Sequence, residues 1–269
     1  MHINFINDFL RYKKYQYINF KKHHFNFNKD ISISNYISEI KKNGYVIVEN
    51  YISKEICEKI KIIIDEYIHK NPEMIWSDKL GSDIRIHGAE NISQEMKNMV
   101  IDKINFTKKI GEQYSRSNID LYMMMANRIT FKQSNLGSGQ GWHKDSYSTQ
   151  FKSILYLNDV DENNGPLQII KNSTSNIFML KLFYNLKKKF PSTRFAELEI
   201  KKIAKNHQIC EITGKAGTLI LVDTSYLHRG KPLSKKNACR YALTNYFFPK
   251  KDFSNHEGHF VPKINSLNI

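Results

Sequence analysis

From Ile119 onward the chain is cut into short runs that only strands accommodate well: IDLYMMMANRITFKQ, FKSILYLNDV, LQII, GTLILVD and RYALTNYFF. Each run is apolar or alternating and is followed by turn residues, which is the signature of successive β-strands. One stretch breaks the pattern. NIFMLKLFYNLKKKF reads as a helix that stops at Pro191, because proline offers no backbone N–H and fixes φ. Upstream the period changes to that of a helix. In KEICEKIKIIIDEYIHK the positions Ile56, Ile60, Ile63, Ile64, Tyr67 and Ile68 fall on one face, and Ser53 is placed to cap its start. Residues 92–116 repeat this through Met96, Met99, Val100, Ile104 and Ile110. A turn at Asn43-Gly44 and a strand over Tyr45–Val48 precede both helices. Helices followed by many strands, with one helical insertion, imply an α+β, mainly β chain built on a β-sandwich or barrel. Residues 1–35 have no steady period and are expected to form an N-terminal arm or a short helix. No linker divides the remainder, so 36–269 is expected to be a single domain.

Composition narrows the class of function. A 269-residue chain that is 41% hydrophobic can bury a substantial core. No apolar run approaches the length of a membrane span, and the polar start MHINFINDFLRYKK lacks a secretory core. Cys57, Cys210 and Cys239 are scattered and form no CxxC pair, so neither a disulfide framework nor a thiolate zinc site is expected. Together these point to a soluble cytoplasmic protein. The balance of 41 basic against 26 acidic residues, +15, favours an anionic partner. Lysines run along the whole chain, with only short clusters at Arg11–Lys14, Lys21–His24 and Lys187–Lys189. A compositional bias explains that spread better than a nucleic-acid surface does, and a small anionic substrate remains the partner to test.

The chemistry gathers around GWHKDS. On an extended strand residues i and i+2 share a face, so His143 and Asp145 project together while Trp142 and Lys144 point away. Taken alone, His-x-Asp is as readily a polar surface loop as half of a metal site. A third ligand is on offer at His228, which ends the strand-and-loop segment GTLILVDTSYLHRG. Two histidines and one carboxylate with open positions form the facial arrangement of non-haem Fe(II) oxygenases. Beyond it, RYALTNYFF alternates so that Arg240, Ala242, Thr244 and Tyr246 share a face. From there a guanidinium can take a carboxylate through its fork.

With these residues in place, the sequence resembles the phytanoyl-CoA dioxygenase family of Fe(II)- and 2-oxoglutarate-dependent oxygenases. The resemblance spans roughly Gly44 to Phe248 and rests on GYVIVENYIS, GWHKDS, YLNDVDENNGPLQII and GTLILVDTSYLHRG followed by Arg240. It implies a double-stranded β-helix, a cupin-like jelly roll with flanking N-terminal helices and a helical insertion. It also implies that His143, Asp145 and His228 bind iron, and that Arg240 binds the distal carboxylate of 2-oxoglutarate. Asn127, Arg85 and Tyr156 match further co-substrate contacts by position. The implied reaction consumes dioxygen and 2-oxoglutarate, releases succinate and CO2, and hydroxylates a C–H bond of a small metabolite. Asp145 stands where halogenating relatives have a small residue, which argues for oxygenation. Lys171-Asn172-Ser173-Thr174 departs from the Gly-Ser-His of many relatives, so the substrate side is expected to differ. A surface-glycan sugar or its activated form is the substrate suggested by SDIRIHGAEN, GSGQGWHKDS and PSTRF. A different class of reading is a catalytically silent oxygenase fold that binds nucleic acid or another anionic partner through the basic surface.

The remaining polar residues have ordinary readings. Arg194 is expected to make a helix-capping ion pair, with an anionic substrate as the functional alternative. His256 and His259 in NHEGHF are spaced wrongly for a zinc helix and read as a C-terminal tail. His23 and His24 are expected to be solvated, and Met123-Met124-Met125 to be strand core.

Overall fold

The computed structural model describes residues 4–25, 30–205 and 208–265. Two antiparallel sheets form a jelly roll. The larger contains β1 (Tyr45–Val48), β2 (Trp76–Ser77), β3 (Asp83–His87), β4 (Ile119–Thr130), β6 (Phe151–Tyr156), β10 (Leu219–Asp223) and β12 (Cys239–Pro249). Their order is β1-β10-β6-β12-β4-β3-β2. The smaller sheet holds β5 (Trp142–His143), β7 (Leu167–Ile170), β8 (Arg194–Phe195), β9 (Ile209–Ile212) and β11 (His228–Gly230), ordered β8-β5-β11-β7-β9. Apart from the β2–β3 pair, neighbouring strands are widely separated in sequence, and each expected apolar run is a strand.

Helices α2 (Ser34–Asn43), α3 (Lys54–Lys70) and α4 (Gln94–Ser115) cover the outer face of the larger sheet. Ile60, Ile64, Val100 and Ile104 pack there on Leu155, Leu219 and Leu243. The caps form as the sequence indicates: Ser53 accepts from the Ile56 N–H and Ser93 from the Met96 N–H. Gly44, at φ +87°, ends α2 and turns the chain into β1. Between the sheets lies a second core of Tyr156, Leu167, Ile169, Ile220, Val222 and Ala242.

A third core sits outside the smaller sheet. There α1 (Asn4–His23), α5 (Asn176–Leu186) and α6 (Glu197–Ile203) bury Tyr12, Phe183 and Ile200 around Trp142. The described part of the N-terminal arm is therefore mostly one long helix. The insertion helix stops earlier than the proline requires, at Leu186, because Lys187 adopts φ +51° and caps it in the left-handed region. The Met run is buried, with Met125 reaching the cavity between the sheets. Among the described residues no helix is long and apolar enough to cross a membrane.

Candidate metal centre and co-substrate cavity

β5 and β11 are joined at a single pair, and that pair is His143 opposite His228. Cross-strand neighbours on one face stand close enough to touch, and the two imidazole centroids are 4.2 Å apart. Each ring is oriented by the same device. His143 Nδ1 lies 2.9 Å from the Gly141 carbonyl, and His228 Nδ1 lies 2.9 Å from the Tyr226 carbonyl. A carbonyl only accepts, so each Nδ1 carries the proton and each Nε2 presents a lone pair. Asp145 faces both, with Oδ1 at 3.5 Å from His143 Nε2 and Oδ2 at 3.5 Å from His228 Nε2. Ligand atoms of all three residues lie within 4.8 Å of one another, a set that could hold a metal ion.

The electrostatics suit ligation. Burial, then the neighbouring His228, lowers His143 to about 3, and burial also lowers His228. Both therefore stay neutral at physiological pH, as ligands must. Burial alone would raise the Asp145 carboxyl, but the Lys152 ammonium and the two imidazoles hold it well below the usual carboxylate range. Backbone contacts fix this corner: the Asp145 N–H donates to the Thr224 carbonyl at 3.0 Å. Lys144 points away from the cavity, as alternation requires. Its ammonium is buried and donates to the Ser173 carbonyl at 3.1 Å and to the Ser225 carbonyl.

A cavity of about 400 Å³ opens on the triad. Arg240, Asn127, Arg85 and Tyr156 all line it, as do Ala242, Thr244 and Tyr246 from the alternating face of β12. Arg240 is 4% exposed. It donates to the Gly165 carbonyl, in the Asn-Asn-Gly-Pro turn, and Nη2 lies 3.5 Å from Asn127 Oδ1. Its Nε is buried with no hydrogen-bond partner. Such a donor is costly to leave unmatched, so the cavity wall holds an arginine suited to an incoming carboxylate. Asn127 also donates to Asp83 at 2.6 Å. Arg85 is less free than its sequence position suggests, since Nε and Nη2 grip Asp83 at 3.1 and 2.5 Å. The Tyr156 ring forms wall, while its hydroxyl is occupied, donating to Ile212 O and accepting from Leu167 N, each at 2.9 Å.

Lys152, which lines the cavity, carries no expectation from the sequence, and three other lining residues, His256, His259 and Arg194, have ordinary readings there. Lys152 is 7% exposed, with Nζ 2.8 Å from Asp145 Oδ2 and 3.8 Å over the Tyr246 ring. The alternation of FKSILY gives the signal: Lys152, Ile154 and Tyr156 share a face, and all three line the cavity. His256 and His259 also line it, so NHEGHF is no peripheral tail; His256 stacks on Phe248 at 3.6 Å. Arg194 lines the cavity and donates to the Gly139 carbonyl, where a helix-capping ion pair had been expected. His23 is not solvated but lies 3.0 Å from Asp252.

Comparison with known proteins agrees with this geometry. The family model for phytanoyl-CoA dioxygenase matches residues 40–238. A search of curated proteins finds no match. Among solved structures, the epimerase SnoN in complex with Fe3+, alpha ketoglutarate and nogalamycin RO superposes with a TM-score of 0.60 at 11% identity, covering 87% of this chain and 94% of its own. HygX from Streptomyces hygroscopicus, with nickel, 2-oxoglutarate and hygromycin B bound, gives 0.53 at 10% identity, covering 80% and 87%. EctD from S. alaskensis in its apoform gives 0.58 at 16%, covering 84% and 80%. At these identities the likeness is one of fold.

Proposed function

The chain belongs to the phytanoyl-CoA dioxygenase family, a family of Fe(II)- and 2-oxoglutarate-dependent oxygenases, and from that premise we propose that it hydroxylates a C–H bond of a small polar metabolite. His143 Nε2, His228 Nε2 and the Asp145 carboxylate hold the iron. Arg240 takes the distal carboxylate of 2-oxoglutarate, with Asn127, Arg85 and Tyr156 shaping that end of the cavity. The single observation carrying this reading is the convergence of two imidazoles, each with Nδ1–H pinned to a carbonyl, on one ionised carboxylate. The orphaned Arg240 Nε supports the co-substrate assignment.

When bound, iron and 2-oxoglutarate supply the oxidising chemistry: dioxygen, 2-oxoglutarate and a substrate C–H give C–OH, succinate and CO2. The protein's own contribution is geometry and charge. Lys152 keeps Asp145 ionised and turned toward the histidines. Arg240 is fixed by the Gly165 carbonyl, so its fork is arranged before a ligand arrives. Ile154, Leu167 and Ala242 supply apolar wall among the charged groups that line the cavity. The net charge of +15 supports an anionic group on the metabolite, and a sugar or activated sugar is the first class to test. A catalytic domain over 36–269 with an arm over 1–35 fits this assignment. The described free cysteines support a cytoplasmic setting.

The test is succinate formation and dioxygen consumption by purified protein with Fe(II) and 2-oxoglutarate, alongside calorimetric titration of each. Protein that binds neither iron nor 2-oxoglutarate sinks the proposal.

A further inference from the structure

A second cavity, of about 530 Å³, lies on the other side of Asp145 from Arg240. It meets the first along Asp145, Gln150, Phe248 and His256, which line both. Arg240, Arg85 and Asn127 line only the first. The triad carboxylate is thus a shared wall, with the co-substrate end on one side and an independent chamber on the other. The chamber's size falls within the range of about 300–1,000 Å³ usual for small-molecule sites.

Two of its walls come from the ends of the chain, alongside lining from within residues 115–119 and 145–151. One is α1, through Tyr15, Gln16 and Asn19; the facing one is the C-terminal 3-10 segment Lys250–His256, through Asn255 and His256. Both lie outside the residues the family model matches. Asp252, 8% exposed, latches the walls together, accepting from Lys22 at 2.6 Å and lying 3.0 Å from His23. Lys251 also donates to the Lys22 carbonyl.

The latch decides the chamber's chemistry. Lys22 and Asp252 neutralise each other, and Asp145 faces Lys152 and the triad. Beside the imidazoles of His23, His24 and His256, the chamber offers the Thr149 hydroxyl and the amide oxygens of Asn19 and Gln150, whose amide nitrogens donate to the Tyr15 carbonyl at 3.0 Å and the Phe247 carbonyl at 3.3 Å, with the rings of Tyr15 and Phe20 in the same lining. An alkyl chain entering here would strip those groups of water and return no hydrogen bonds, at about 1–3 kcal/mol for each group left unmatched. A hydroxylated ring returns them at its edge and lays its C–H faces on the aromatic side chains.

We infer that this chamber is the substrate site, and that the substrate presents an uncharged, hydroxyl-rich ring toward Asp145. The inference rests on the oxygenase reading above and narrows its substrate class. Substrate choice is then made by α1 and the C-terminal segment together with Ser148, Thr149 and Gln150, which follow Asp145 in the chain.

The experiment is saturation-transfer NMR on the full chain loaded with Zn(II) and 2-oxoglutarate, using methyl hexopyranosides, their phosphate esters and an aliphatic acid as probes. Succinate release with Fe(II) is measured in parallel. The expected result is saturation of ring protons, retained in both the neutral and the phosphorylated sugars. Asn19→Leu and Thr149→Val should each weaken it about tenfold, with metal and 2-oxoglutarate affinity unchanged. Saturation of the aliphatic acid alone, no saturation of any sugar, or sugar binding indifferent to both substitutions overturns the inference. Failure of the oxygenase reading looks different: neither iron nor 2-oxoglutarate binds, whatever the probes do.

Discussion

In the larger sheet β4 and β12 pair continuously from Ile119–Pro249 to Thr130–Cys239, apart from one bulge beside Tyr246. In the smaller sheet β5 and β11 pair only through His143 and His228. Both sheets place functional side chains on one cavity, yet they hold them by different means. A long ladder carries Arg240 and Asn127 as two members of a register set by many neighbours. The short side depends on individual contacts: two imidazole–carbonyl bonds, the Asp145 amide on Thr224, and the Lys144 ammonium bridging Ser173 and Ser225. The metal centre is therefore expected to be sensitive to single local changes that leave the fold intact. The co-substrate end should be mechanically robust and chemically specific.

The most severe test of that difference is Asp145→Ala. Losing a ligand should weaken metal binding by more than about a hundredfold, beyond what removal of a supporting partner costs. Circular dichroism should remain that of the wild type. Metal titration and thermal unfolding measured together decide it; a collapse in stability would mean that the triad corner also holds the sheet.

Arg240→Lys probes the opposite end. A lysine keeps the charge and loses the fork, so half-saturation by 2-oxoglutarate should rise more than about tenfold. Metal affinity measured without 2-oxoglutarate should not move. A parallel loss of metal affinity would show that the two ends are not independent.

Glycines sharpen the comparison further. A Cβ on Gly139 would sit 2.1 Å from His143 Cε1, whereas one on Gly141 would meet nothing within 4 Å. Both residues have positive φ, +81° and +90°, so alanine is strained at either. Gly139→Ala should displace the His143 ring and lower metal affinity by about tenfold. Gly141→Ala should cost about 1 kcal/mol of stability and little affinity. Calorimetry and denaturant unfolding of the pair separate backbone strain from ligand displacement.

The same contrast explains what could be read in the sequence. Strands such as β4, β6 and β12 are long enough for alternation to appear, and the face of Arg240, Ala242, Thr244 and Tyr246 follows from period 2. β2, β5 and β8, at two residues each, are too short to show any period. His143 and Asp145 could be paired because i and i+2 share a face; adding His228 needed the resemblance, since nothing local joins residues so far apart. Lys152 was legible by the alternation that exposes Tyr156, but a lysine between Phe151 and Ser153 draws the eye to solvent. Arg85 illustrates the converse: its fork is taken by Asp83, which shares its face by the same rule. The second cavity was beyond reach, because the pairing of Lys22 and His23 with Asp252 leaves no local pattern.

The smallest effect on the metal centre is expected near the edge of the larger sheet, where β3 meets the C-terminal segment. His87, on β3, is 5% exposed; Nδ1 lies 3.2 Å from the Pro262 carbonyl and its ring packs on Phe260. Burial lowers it from 6.5 to about 4, outweighing the carbonyl contact. As pH falls below the ordinary histidine value the unfolded chain takes up the proton first, so stability declines between about 6.5 and about 4 and is fully present above that window. Over the window the group accounts for a loss of at most about 3 kcal/mol. His87→Gln keeps a neutral polar side chain without the titration, so denaturant unfolding on either side of the window should show a shallower acid decline in the variant. Metal affinity above the window should be the same in both proteins. An equal acid decline would assign the loss to other groups; a change in metal affinity would mean that this edge is coupled to the triad across the whole sheet.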